Sequence, residues 1–92
     1  MKERSIKELL EVMLNNQNAF TGGLCSWAGN ILRLRYISAE EFNILDRYIT
    51  QNRPSIWSSV SAFNSRHSSY YWRRYDIKPR IKWLKKHIKK TI

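Results

Sequence analysis

Two short stretches limit the folds open to this chain more than any others. Ser5-Ile6-Lys7-Glu8 and Ser38-Ala39-Glu40-Glu41 each place a glutamate three residues after a serine. At a helix start such a serine accepts from the N3 amide, and the glutamate reaches back to the serine amide. Two donors that lack a partner inside the helix are thereby satisfied. Each box leads into apolar residues at helical spacing: Ile6, Leu9, Leu10 and Met13 after the first, and Phe42, Leu45 and Ile49 after the second. The first helix is expected to end near Asn15-Asn16. The second should stop at Asn52-Arg53-Pro54, because the residue before a proline avoids helical geometry.

Between them, the polar stretch NNQNAFTGG breaks the chain at Gly22-Gly23. Leu24, Trp27, Ala28, Ile31 and Leu32 then follow an i, i+3, i+4, i+7, i+8 stripe, so a further helix is expected there with Trp27 in the core. A last helix is expected from Lys78-Pro79, with proline at the first helical position, where its missing N–H costs nothing. Asp76 lies just before that electropositive end. Ile77, Ile81, Leu84 and Ile88 form its apolar stripe and are expected to be buried. Arg80, Trp83, His87 and Lys90 fall on one flank of the stripe, and Lys82, Lys86 and Lys89 on the far side. From Arg53 to Ser69 the chain holds seven serines and no helical period, together with Trp57, Phe63, Arg66 and His67. Loops of that length are uncommon in so small a domain and tend to carry function. The expected fold is all-α: a single domain, residues 1–92, built as a small bundle of about four helices, with an irregular Ser/aromatic-rich loop before the C-terminal basic helix.

Charge is segregated along the chain. Residues 1–46 hold five Lys/Arg and six acids, a net of −1; residues 47–92 hold twelve Lys/Arg and one acid, a net of +11; together they give the formal +10. Such asymmetry concentrates a positive field on part of the surface, where anions collect. No run of about 20 apolar residues is present, so no membrane-spanning helix is expected. The last helix has too narrow an apolar face for a membrane surface. MKERSIKELLEV does not read as a signal peptide, so a cytoplasmic product is expected.

Catalytic signals are sparse. The two histidines are His67 and His87, and Cys25 is the lone cysteine. No glycine-rich phosphate loop, HExxH, nucleophile elbow or metal-ligand cluster occurs. Glu8 and Glu41 are accounted for as caps, which leaves a His67–Asp76 pair as the one general-base arrangement to consider. The expectation is a protein that is not an enzyme and uses no metal or cofactor.

Binding signals are richer. Rings at Tyr70, Tyr71, Trp72, Tyr75 and Trp83 sit among Arg66, Arg73, Arg74, Arg80 and Lys82. Aromatic faces stack on bases, and arginine forks to phosphate. The ligand-binding residues expected are Arg53, Arg66, His67, Tyr70, Tyr71, Trp72, Arg73, Arg80, Trp83 and His87, converging on one anion-binding surface. His87 would add positive charge to it below neutral pH. The core of so short a chain is small, and a dianion pocket is easier to build from two copies of Arg80 or Arg53, so a homo-oligomer is expected.

Leu24-Cys25, ISAEEF (Ile37–Phe42), YITQNRP (Tyr48–Pro54), YYW (Tyr70–Trp72) and PRIKWLKKHI (Pro79–Ile88) together give a chain that resembles a family of small tailed-phage proteins of unassigned function. The resemblance implies a phage accessory protein in the cytoplasm of an infected bacterial host and supplies no catalytic residues. Such a protein would act by occupying a target. The expected role is sequestration of an anionic nucleotide, such as a cyclic-nucleotide immune signal, in antagonism of host defence. The alternatives are binding of DNA or RNA and masking of an acidic surface on a host protein.

Overall fold

The computed structural model describes residues 3–21, 23–54, 57 and 77–91. Among them are four α-helices: α1 (Ile6–Leu14), α2 (Leu24–Arg33), α3 (Ala39–Asn52) and α4 (Ile77–Lys90). The described residues form no strand, and the fold is a small all-α bundle.

Both serine boxes start helices. Ser5 accepts from the Glu8 amide and Glu8 Oε1 accepts from the Ser5 amide at 2.9 Å. Ser38 and Glu41 repeat the arrangement at α3, with Glu41 Oε1 2.8 Å from the Ser38 amide. α3 ends at Asn52, and Arg53 before Pro54 is extended at ψ 151°, as the steric clash with the proline ring requires. α4 starts one residue before the expected Lys78, so Pro79 is its third residue. It still lies in the first turn, where the amides have no intrahelical partner.

Two local features were not foreseen. A 3-10 turn, Gln17–Ala19, carries the chain from α1 towards α2 and is fixed by Trp27, whose Nε1 donates to the Asn16 carbonyl at 3.0 Å. α2 closes with the Tyr36 amide donating to Ile31 O and the Arg35 amide to Leu32 O, both at 2.9 Å. This paired closure needs a left-handed residue, usually glycine; here Arg35 takes it, at φ 67°.

The core joins all four helices. Leu9, Leu10 and Met13 of α1, Trp27 and Ile31 of α2, and Leu45 and Ile49 of α3 meet Trp83 and Leu84 of α4. α1 packs against α2, α3 and α4, and α2 against α3. One buried polar group ties α1 to α3: Glu41 accepts from the Arg4 amide at 3.1 Å, from Arg4 Nε at 2.9 Å and from Arg4 Nη2 at 3.0 Å. These donors, the side-chain hydrogen bonds first, hold the Glu41 carboxyl down at about 2, against an ordinary 4.5.

α4 buries a different face from the expected stripe. Leu84 is fully buried, but Ile77, Ile81 and Ile88 are only partly so, and the other buried residues are Arg80, Trp83 and His87. The reason is that α4 has two neighbours. Its isoleucine side turns to α1, and its Trp83-His87 side turns to α3, where His87 meets Tyr48 and Trp83 meets Asn52. Together the two contacts occupy roughly 160° of the helix at about 100° per residue.

Candidate functional site

Three of the expected ligand-binding residues lie inside the protein. Arg80 is 1% exposed, Trp83 7% and His87 6%. The Arg80 guanidinium carbon lies 4.6 Å from the centroid of a Trp57 ring, an edge of the core closed by a cation over an aromatic face. Trp83 and His87 stack with centroids 4.2 Å apart and planes at 28°. Tyr48 meets both rings edge-on, at 6.2 and 5.6 Å, and its hydroxyl is 2.8 Å from His87 Nδ1. Trp83 Nε1 donates to the Asn52 carbonyl at 3.4 Å. The pairs 48–87 and 52–83 run in opposite sequence order, so α3 and α4 pass each other in opposite directions.

This aromatic seam does structural work. Its polar atoms are used to close α4 onto α3, and its rings pack on one another. Burial lowers the pKa of His87, and nearby Lys90 and Lys86 lower it further. Burial raises that of the Tyr48 hydroxyl. Burial therefore works against the positive charge that His87 was expected to carry below neutral pH.

Arg53 is half-buried and engaged with α2: its Nη1 donates to Cys25 Sγ at 3.1 Å. The Cys25 thiol is pushed up, chiefly by burial, the condition of an inert thiol rather than a nucleophile. Arg66, His67, Tyr70, Tyr71, Trp72 and Arg73 lie outside the described residues, as does Asp76.

Apart from Pro79, what α4 leaves outside is basic. Lys78, Lys82, Lys85, Lys86, Lys89 and Lys90 are all exposed, and the helix contains no acid. Lys78, Lys82, Lys85 and Lys89 recur at i, i+4, i+7 and i+11. At about 1.5 Å and 100° per residue they form a ridge about 16 Å long within roughly 60° of arc. Sequence reading placed Lys82, Lys86 and Lys89 opposite the core but gave the ligand to the flank beside it. No local signal separates the two: His87, Trp83 and Arg80 are placed by Tyr48, Asn52 and Trp57, all far away in sequence.

Protein-family models, curated proteins and solved structures contain no match to this chain.

Beside the ridge runs a groove of about 310 Å³, lined by Glu11, Leu14 and Asn15 from the end of α1 and by Lys85, Ile88 and Lys89 of α4. Among the described residues no group of His, Cys, Asp or Glu could hold a metal ion. No helix among them is long and apolar enough to cross a membrane.

Proposed function

We propose that this protein binds nucleic acid non-catalytically, through phosphate contacts along the lysine ridge of α4. The observation that carries the reading is the sorting of α4 into two faces: every lysine is outside, and Arg80, Trp83 and His87 are inside. A straight ridge of point charges matches a repeating row of phosphates better than it matches one small ligand. Lysine neutralises phosphate without demanding a fixed geometry, and the released counterions supply the affinity.

The sequestration of a single nucleotide is the weaker reading, because three of the residues nominated for its pocket, Arg80, Trp83 and His87, are buried in the core. The same burial removes the reason for expecting two copies of Arg80 around one dianion. The resemblance to small tailed-phage proteins supports an accessory role in the cytoplasm of an infected bacterium, where coating or occluding nucleic acid would antagonise the host. The test is fluorescence polarisation with labelled oligonucleotides, comparing the native chain with Lys82→Glu/Lys85→Glu/Lys89→Glu. Binding that the charge reversal abolishes supports the reading. Binding that survives it places the contact elsewhere.

A further inference from the structure

The groove between α1 and α4 shares Lys85 and Lys89 with the ridge but has an apolar floor at Leu14 and Ile88. Resting on the nucleic-acid reading, we propose that the protein prefers single strands to duplex and that the groove receives an unstacked base. A strand lying along the ridge carries its phosphates over Lys82, Lys85 and Lys89, and its bases project to one side. On the α1 side they meet partly buried carbon at Leu14 and Ile88. Two polar groups at the rim, the Glu11 carboxylate and the exposed Asn15 amide, are of the types that pair with base edges: a carboxylate accepts from an exocyclic amine, and an amide both donates and accepts. In a duplex the bases are paired and stacked, so no base can enter without being flipped out at a cost. The duplex is then left with the phosphate contacts alone, whereas a single strand adds the contact with the base.

The occupant is argued from charge and shape together. Glu11 opposes a purely anionic ligand in the groove, which disfavours phosphate there, while the lysines on the other wall favour a ligand that is anionic just beyond it. A nucleotide strand has both properties: its base is neutral and its backbone charged.

The experiment compares a short single-stranded oligonucleotide of mixed sequence with the duplex of the same length, by polarisation at one salt concentration of about 50 mM. The single strand is expected to bind at least about fivefold tighter, the gain from one weakly held base. Leu14→Ala should bring that ratio down towards one. Asn15→Ala, at an exposed position that leaves the core untouched, should lower it too and serves if Leu14→Ala melts. Equal or tighter binding to duplex overturns the single-strand inference but leaves the ridge reading standing. A ratio unchanged in Asn15→Ala and in a folded Leu14→Ala removes the groove from the site. Loss of binding to both forms in the native chain overturns the ridge reading itself.

Discussion

Replacing Glu41 with glutamine isolates a charge without disturbing the cap it belongs to. The amide oxygen of glutamine can still accept from the Ser38 amide, so the start of α3 is preserved. What is lost is the carboxylate that faces Arg4. Its pKa falls from 4.5 to about 2 in the folded protein, and at about 1.4 kcal/mol per pKa unit the full linkage is about 3 kcal/mol. The Arg4 side chain is 40% exposed, so water screens the pair, and about 1.5–2 kcal/mol is the expected share. A folded pKa below the unfolded one means that the unfolded chain binds more protons. The stabilisation is therefore present above pH 4.5 and is lost as the pH falls towards 2. Urea unfolding of the native chain and Glu41→Gln should differ by about 1.5–2 kcal/mol at pH 7, and the gap should close by about pH 2–3. A gap that is the same at both ends of that range would show that the loss arises from packing and not from the charge.

Three further outcomes follow from the seam and the turns. Arg80→Ala should lower stability by about 1–3 kcal/mol in a thermal melt, because a buried stem and its contact with Trp57 are removed; an unchanged melt would return Arg80 to the surface. His87 has a folded pKa below its ordinary 6.5, so stability should be full above that value and decline as the pH falls below it. A His87→Gln variant that keeps the same slope between pH 7 and 5 would assign the decline elsewhere. Arg35→Gly should raise stability by about 0.5–1 kcal/mol, since the left-handed φ costs an arginine more than glycine loses in chain entropy; a loss would mean that the Arg35 side chain contributes contacts that outweigh its backbone.

The helices were legible because their signals are local. Ser5 and Glu8, Ser38 and Glu41, and the stripe from Leu24 to Ile31 lie within one or two turns of each other, and α3 stops where Pro54 makes it stop. The face of α4 was not, because it depends on partners far away in sequence. His87 is placed by Tyr48, Trp83 by Asn52 and Arg80 by Trp57. Periodicity ranks isoleucine above arginine as a core residue, and it cannot know that α4 has two neighbours. The Arg4–Glu41 link was hidden for the same reason, its ends lying 37 positions apart. The lysine ridge could be read from spacing alone, yet its meaning depended on which side of α4 is buried.

The most direct test of the ridge is the salt dependence of binding to a short single-stranded oligonucleotide. Each phosphate neutralised contributes about −0.7 to the slope of log K against log salt, so the four lysines from Lys78 to Lys89 predict a slope of about −3. Reversing Lys82, Lys85 and Lys89 should flatten it to near −1 or abolish binding. A slope near zero in the native chain, or one that the reversal leaves unchanged, would contradict the account.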